Sequence, residues 1–243
     1  MSSSRTQGSA GSSKSGIKLV RPTVKQAVKP AVVRVDVAQE LRRRIANHDL
    51  PPGSKLKEVD LSIEFGVPRP RIREALSTLE ERGLVERIPN KGAVVMRLDL
   101  AQVMSIYEAR EALEGLCVRL ATERSPKGHW DELCVLFGDP MIGYLRAGDF
   151  DAFMAGYEMF RARVFDAAKS EVAQDMLDSI LERTQMIIRR SIMLSGRAER
   201  GLEQHRAVLQ AMQRGDAAEA ERLRKLSLRD AAECIRQYHK VVI

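Results

Sequence analysis

Arg69, Arg73 and Ser77 form a stripe of polar side chains at helical spacing. Residues four apart lie on one face of an α-helix, so this spacing predicts one helix that presents all three side chains together. Arginine on such a helix can donate two hydrogen bonds to O6 and N7 of guanine in the major groove of DNA. The stripe therefore predicts base reading, although it could equally be a solvated helix face.

The surrounding pattern predicts the elements that would position this stripe. We expect helices over 37–48, 58–65 and 69–82, an extended piece at 54–57, and strands over 84–88 and 93–96. The second helix is expected to supply apolar surface through Val59, Leu61, Ile63 and Phe65, and the third to bury Ile72, Ala75, Leu76 and Leu79. Gly66 would end the second helix in the left-handed conformation. The turn between the strands is Pro89-Asn90-Lys91-Gly92. Two helices joined by a tight turn and followed by a hairpin predict a winged helix-turn-helix over residues 35–98, with the wing at Asn90, Lys91 and Gly92 against DNA.

The same region resembles the DNA-binding domain of the GntR family. The matching motifs are Leu50-Pro51-Pro52-Gly53-Ser54-Lys55-Leu56, Leu61 with Phe65-Gly66-Val67, Arg69, Arg73-Glu74-Ala75-Leu76, Leu79-Glu80, Gly83-Leu84-Val85 and Pro89-Asn90-Lys91-Gly92-Ala93-Val94-Val95. The resemblance implies that Arg69, Arg73 and Gly92 contact an operator and that Lys91 contacts a phosphate.

Some positions depart from that family's pattern. Pro68 stands where Ser or Thr is usual, so its side chain can neither cap the recognition helix nor bond a phosphate. Pro70 falls in the first helical turn, where proline is tolerated. A basic residue is common where this chain has Val59, and proline where it has Arg71. We expect the docking mode to survive, with an additional phosphate contact from Arg71.

Residues 99–243 predict an all-helical antiparallel bundle with an internal cavity or groove. The expected helices are 101–123, 130–147, 149–169, 171–193, 197–214 and 216–242. This part resembles the FCD ligand-binding domain of FadR-type GntR regulators. The supporting residues are Tyr107-Glu108-Ala109-Arg110-Glu111-Ala112-Leu113-Glu114, Phe160, Gln204-His205-Arg206, Ala211 and Gly215-Asp216. The whole chain is thus expected to be mainly α-helical, with a winged helix-turn-helix before the bundle.

The FCD resemblance also implies a metal site, which many such domains build from one Asp and three His. The positions that correspond here are Tyr157, Arg161, His205 and Ser227. One imidazole with Tyr, Arg and Ser is a poor ligand set for a divalent metal, and the guanidinium adds repulsion. We therefore predict no metal and no cofactor, with His205 as either a hydrogen-bonded packing residue or part of an organic ligand site.

An arginine could replace the metal by binding a carboxylate directly. Arg161 is the first candidate, with Tyr157 one turn away, and Arg110 is the second because the family's first bundle helix faces the pocket. The predicted ligand-binding residues are Arg110, Tyr157, Arg161, His205 and Ser227. The competing interpretation is an internal ion pair of Arg161 with Glu114 or Glu158.

Charge is concentrated at the N-terminus. Residues 1–34 contain seven basic and no acidic residues, so the formal net charge of +7 comes from this segment alone. Its Ser/Gly-rich composition predicts a disordered tail, which is either a sequence-independent phosphate-binding arm or a solvated leader. Three cysteines without CxxC spacing argue against disulfides and zinc. There is no long apolar run and no secretory signal pattern, so a cytoplasmic protein is expected.

Catalytic motifs are lacking: there is no phosphate-binding glycine loop, GxSxG or HExxH. We therefore predict a DNA-binding transcriptional regulator and not an enzyme. The expected mechanism is a homodimeric repressor that reads an inverted repeat on double-stranded DNA and is released by a small organic acid. Two alternatives remain open: a regulator whose bundle only dimerises and binds no effector, and a low-specificity DNA-organising protein.

Overall fold

The computed structural model describes residues 36–89 and 92–243. The predictions for the tail 1–34 and for Asn90 and Lys91 lie outside these residues. The first part of the chain, which we call the head, consists of α1 (Val37–Ala46), β1 (Lys55–Leu56), α2 (Glu58–Phe65), α3 (Arg69–Glu81), β2 (Val85–Ile88) and β3 (Gly92–Val95). The second part, which we call the bundle, consists of α4 (Leu100–Arg124), α5 (Asp131–Leu136), α6 (Asp139–Ala147), α7 (Phe150–Ala168), α8 (Glu171–Ile192), α9 (Arg197–Gln213) and α10 (Ala217–Val242).

The three strands of the head form a small antiparallel sheet in the order β1-β3-β2. Val85 pairs with Val95 and Lys55 with Val94, so β3 lies between the other two strands. The head has its own apolar core, which includes Leu41, Leu56, Ile72, Leu76, Leu79 and Val85. The predicted winged helix-turn-helix fold is confirmed.

The turn before α3 follows the local chemistry of its residues. Gly66 adopts a left-handed conformation (φ 62°) that ends α2, as glycine does at this position. Pro68 precedes α3 without a side-chain capping bond, and Pro70 lies in the first turn of the helix. Only Leu61 of α2 is buried; Val59 and Ile63 are exposed, so much of the apolar surface predicted for this helix faces solvent.

The bundle departs from prediction at one place. The single helix expected over 130–147 is in fact two, α5 and α6, with a break at Phe137 and Gly138. Pro140 explains the break, because it has no N–H to bond the carbonyl four residues earlier and its ring clashes with that carbonyl. At this break Phe137 is fully buried in the bundle core, with its ring centre 5.9 Å from that of Phe160.

The long helices α4, α7, α8, α9 and α10 enclose the bundle core. None of the helices in the described part of the chain combines the length and hydropathy needed to cross a membrane. The mainly helical fold class, a winged head followed by an antiparallel helical bundle, is as predicted.

Candidate nucleic-acid interface and ligand cavity

The exposed face of α3 presents the predicted arginines. Arg69 and Arg73 keep more than half of their side-chain surface accessible, at 54% and 56%. Both are paired with Glu58 at the start of α2: Arg73 Nε donates to its carboxylate at 2.9 Å and Arg69 Nη2 at 3.3 Å. These bonds lower the pKa of Glu58 below its usual range. One carboxylate therefore gathers the two arginines on the face that the helix turns away from its core.

The remaining predicted DNA contacts flank this pair. Ser77 lies one turn beyond Arg73, and its hydroxyl accepts a bond from Arg87 of β2 at 2.9 Å. Arg71 is exposed and pairs with Glu74 at 3.2 Å. Gly92 opens β3 with a φ of 79°, a conformation that favours glycine. Glu58 and Arg87 were not predicted as part of this surface; their partners lie 10 to 15 residues away in the chain, and no local periodicity reveals them.

A cavity of about 90 Å³ lies inside the bundle between α4, α7, α8, α9 and α10. Its lining includes all five residues predicted to bind a ligand, namely Arg110, Tyr157, Arg161, His205 and Ser227. It also includes Glu114, Arg197 and Arg224, which were not predicted as ligand residues. The structure thus brings the predicted set together around one space and adds two arginines to it.

Glu114 is a carboxylate shared by two buried arginines. Arg110 Nε donates to its Oε1 at 2.8 Å, and Arg224 donates to its Oε2 through both Nε, at 3.1 Å, and Nη2. The three residues are at most 8% exposed. Although burial alone would raise it, the two guanidinium groups hold the pKa of Glu114 at about 2. The unit carries a net charge of +1 inside the bundle.

His205 is held in one tautomer by its neighbours. Arg224 Nη1 lies 3.0 Å from His205 Nε2, and the Nδ1 atom lies 2.8 Å from the Gly201 carbonyl. A guanidinium can only donate, so Nε2 accepts and the proton is on Nδ1. Burial, and secondarily the charge of Arg224, lower the pKa of His205 to about 3. The ring stacks on Tyr157 at 4.3 Å between centroids.

Several hydrogen-bond donors at the cavity have no partner within the described residues. They are Arg110 Nη1, the Tyr157 hydroxyl, and Arg197 Nε and Nη1. Arg197 Nη1 approaches Asp230 only to 3.9 Å, beyond hydrogen-bond distance. Gly201 lies directly beside the Tyr157 hydroxyl and Arg197 Nη1, because a Cβ there would sit 2.8 Å and 3.3 Å from them. Buried donors normally have partners, so these atoms are available to an acceptor in the cavity.

Arg161 lies half-buried on α7 at the edge of the cavity. The alternative ion pairs are not formed within the described part of the chain: Glu114 is bound by Arg110 and Arg224, and Glu158 accepts from Gln185 at 3.3 Å. Ser227 Oγ donates to Gln204 at 3.3 Å. Arg224 lies one turn before Ser227 on α10, which was the one signal in the sequence that could have revealed it.

The residues at this site do not suit the metal that the FCD resemblance implies. Nε2 of His205 is the only imidazole lone pair at the four corresponding positions, and it is already bound by Arg224. In the ranges 36–89 and 92–243, no three His, Cys, Asp or Glu side chains are grouped to hold a metal ion. Four arginines line the same cavity and would repel a divalent cation.

Helix α8 contacts the cavity and the head with different side chains. Leu181, Gln185 and Ile188 line the cavity. Glu182 on the same helix pairs with Arg42 of α1 and, at 3.2 Å, with Arg82 at the end of α3. Arg190, two turns further, lies 2.6 Å from a ring nitrogen of His48 in the head. The wall of the cavity is therefore also the surface on which the head rests.

A winged helix-turn-helix with exposed arginines on its second helix, followed by a bundle with a cationic cavity, defines a DNA-binding transcriptional regulator. Comparison with known families agrees. Residues 34–95 match "Bacterial regulatory proteins, gntR family" and residues 105–230 match the FCD domain. The chain belongs to the GntR family, in the group with an FCD domain, and is not an enzyme.

Individual relatives are consistent with this family. The "HTH-type transcriptional repressor RspR" of Escherichia coli (strain K12) is 26% identical over 205 residues, which cover 84% of this chain and 90% of that protein. The "Probable D-xylose utilization operon transcriptional repressor" of Paenarthrobacter nicotinovorans is 27% identical over 80% of this chain and 87% of its own. The fold is also similar to the solved structure of E. coli McbR/YncC, which superposes with a TM-score of 0.69 at 19% identity and covers 84% of this chain and 98% of that one.

Proposed function

We propose that this regulator is a cytoplasmic, homodimeric repressor whose two heads read an inverted repeat and which a small organic acid releases from DNA. The observation that carries the effector part of this proposal is the group of buried, partnerless donors around the bundle cavity, on Arg110, Tyr157 and Arg197. An anion is the ligand that such an arrangement favours.

The proposed DNA contacts follow from the geometry of the head. Arg69 and Arg73 read base edges in the major groove, while Arg71 and Ser77 bond the phosphate backbone beside them. The wing at Gly92, together with Asn90 and Lys91, approaches the backbone or the minor groove. Two heads related by a two-fold axis place these contacts on two half-sites, so the operator is expected to be palindromic.

The charge balance of the cavity supports an anionic effector. Arg110 and Arg224 share one carboxylate, Glu114. Arg197 adds further positive charge, because Asp230, 3.9 Å from its Nη1, is already paired with Arg200 at 2.8 Å. Burying charge without compensation is costly. A carboxylate in the cavity accepts bonds from Arg110 Nη1, Arg197 and the Tyr157 hydroxyl, with Arg161, His205 and Ser227 completing the walls.

Helix α8 is the proposed connection between effector and DNA. An anion that contacts Gln185 and draws α7 and α9 towards the cavity changes the position of α8, and Glu182 passes this change to Arg42 and Arg82 of the head. The effector can shift the heads only by binding one of their arrangements more tightly than the other.

Footprinting on the DNA that flanks the protein's own gene tests the DNA-reading part. We expect protection of an inverted repeat whose half-sites are centred one helical turn, or a multiple of it, apart. The Arg73→Ala variant should lose this protection. Protection that spreads evenly along the DNA, or none at all, would favour the DNA-organising alternative.

A thermal-shift screen with succinate, citrate, benzoate and gluconate tests the effector part. At least one acid should raise Tm of the wild type, because a ligand that binds only the folded state stabilises it. The Arg197→Gln and Arg161→Ala variants should lose the shift. Arg163→Ala on the same helix as Arg161, at an exposed pair with Glu132, is the matched control and should keep it. A shift that survives the cavity variants would place the ligand elsewhere.

A further inference from the structure

Arg224 donates a hydrogen bond to Nε2 of His205, the ring nitrogen that a metal ion would bind. Its Nη1 lies 3.0 Å from Nε2, and the opposite ring nitrogen, Nδ1, bonds the Gly201 carbonyl at 2.8 Å. A histidine that ligates a metal gives one nitrogen to the metal and donates from the other. His205 shows this same division, with a guanidinium in the place of the ion.

The guanidinium is fixed on every side. Glu114 accepts from Nε and Nη2, and the Cζ atom lies 5.7 Å from the centre of the Phe160 ring. Arg224 is 8% exposed. It projects from α10 one turn before Ser227, and residues three apart share a helix face. Ser227 is the position at which the resembling FCD domains have their last histidine.

We propose that Arg224 is the permanent cation of this cavity, that it takes the place of the divalent metal, and that effector binding here needs no metal. Arg224 is a positioning residue: it holds His205 and Glu114 in place and supplies positive charge. Direct bonds to the anion come from Arg110, Arg197 and Tyr157. The role towards an anion rests on the proposed effector function, whereas the exclusion of a metal from His205 does not.

The exchange of a metal for a guanidinium changes which ligands fit. A metal ion binds most tightly the acids that chelate it through two oxygens. Binding of the metal itself depends on deprotonated ligands and on metal supply. A guanidinium remains charged at all physiological pH values and binds carboxylates through N–H donors without requiring a chelating hydroxyl. The site therefore favours simple carboxylates such as succinate as readily as hydroxy acids such as citrate.

The direct test is long-range ¹H–¹⁵N NMR of the full chain labelled with ¹⁵N-histidine, before and after one equivalent of Zn²⁺. The chain has only four histidines, so His205 can be assigned from the His205→Gln spectrum. We expect a neutral ring protonated at Nδ1, with signals that Zn²⁺ leaves unchanged. A change in the His205 Nε2 signal on adding one equivalent of Zn²⁺ would overturn the proposal.

Variants sharpen this test. Arg224→Lys keeps the charge but replaces the planar fork of guanidinium nitrogens with a single ammonium nitrogen, so the ring should lose its single tautomer. The matched control is Arg222→Lys, at an exposed pair with Glu219 on the same helix, which should leave the His205 signals unchanged. Unaltered His205 signals in a folded Arg224→Lys protein would contradict the positioning role.

Thermal shifts with succinate and citrate separate this inference from the proposed effector function. After EDTA treatment and desalting, any shift should be as large as in the presence of Zn²⁺. A shift that appears only with Zn²⁺ would overturn the metal-free site while leaving the effector function intact. No shift under either condition, with His205 unaffected by Zn²⁺, would contradict the effector function but support the assignment of Arg224.

Discussion

The head and the bundle each contain a glutamate shared between two arginines, and the two groups differ mainly in burial. In the head, Glu58 binds Arg69 and Arg73, whose side chains are more than half exposed. In the bundle, Glu114 binds Arg110 and Arg224, whose side chains are 7% and 9% exposed. The same grouping of one glutamate and two arginines thus occurs once in contact with solvent and once away from it.

The difference in burial decides what each group can do. Ion pairs between exposed side chains contribute little free energy, so Arg69 and Arg73 can leave Glu58 for guanine or phosphate at small cost. A buried pair stabilises little beyond its own desolvation, but removing one partner is costly because a charge is left uncompensated. The exposed arginines are therefore suited to exchanging partners, and the buried ones to staying in place and shaping a cavity.

The largest expected effect is the loss of stability on removing the buried carboxylate. Glu114→Gln leaves Arg110 and Arg224 without their anion, and we expect the free energy of unfolding to fall by about 3–5 kcal/mol. Glu58→Gln is the matched change in the head and should cost less than about 1 kcal/mol. Urea denaturation of both variants measures this contrast; equal losses would remove the distinction between the two groups.

The next effect is on stability in acid. The pKa of His205 is lowered from 6.5 to about 3, so the ring is neutral when folded, and stability is lost as the pH falls from 6.5 towards 3. In that window the slope attributable to His205 is about 1.4 kcal/mol per pH unit. Glu114, with its pKa lowered from 4.5 to about 2, adds a further loss below pH 4.5.

The His205→Gln variant isolates the histidine contribution. Its urea midpoint should vary less between pH 6.5 and 5 than that of the wild type. His239→Gln, a substitution of a half-buried ring near the C-terminal end of α10, is the control and should follow the wild-type curve. A wild-type midpoint that is flat across this range would show that the His205 ring is not held neutral in the fold.

DNA affinity should respond to the exposed group. Arg73→Ala should cost about 1–3 kcal/mol of binding to the operator and relax the base preference at one position per half-site. Arg71→Ala should weaken binding to specific and unrelated DNA alike and reduce its salt dependence, as the loss of a phosphate contact does. Fluorescence anisotropy at several salt concentrations distinguishes the two. A uniform loss from Arg73→Ala would assign it to the backbone instead.

The smallest expected effect concerns another shared glutamate, Glu182, whose side chain is 16% exposed and pairs with Arg42 and Arg82 between bundle and head. Glu182→Gln should change stability by no more than about 1 kcal/mol. Its main effect should be on coupling: an acid that stabilises the protein should no longer change the operator affinity. Glu132→Gln, at an exposed pair within the bundle, should leave that response unchanged.

The local parts of this fold could be predicted from the sequence. The apolar spacing in α3 and the glycine that ends α2 predicted the helix-turn-helix of the head, because each acts within one or two turns of chain. Prediction was weaker where packing outside the element decides. Val59 and Ile63 have the pattern of core residues, yet the short helix α2 buries only Leu61. Pro140 split a helix that the apolar pattern had joined.

The cavity was predicted in part. The five expected ligand residues line it, because the resemblance to FCD domains fixed their positions. The pairing of charges could not be predicted, since Glu114 and Arg224 are 110 residues apart. Arg161 was the expected substitute for the metal, but the arginine on His205 is Arg224. Which of several arginines reaches a given atom depends on helix packing, and no local spacing encodes it.

The most direct test of the whole account is the affinity for the footprinted operator, measured by fluorescence anisotropy with and without the acid that gives the largest thermal shift. The wild type should bind tightly and weaken when the acid is added. Arg73→Ala should bind the operator poorly yet keep the thermal shift. Arg197→Gln should bind the operator as tightly as the wild type, and the acid should not change that affinity. Wild-type affinity that does not change with an acid bound in the cavity would contradict the account.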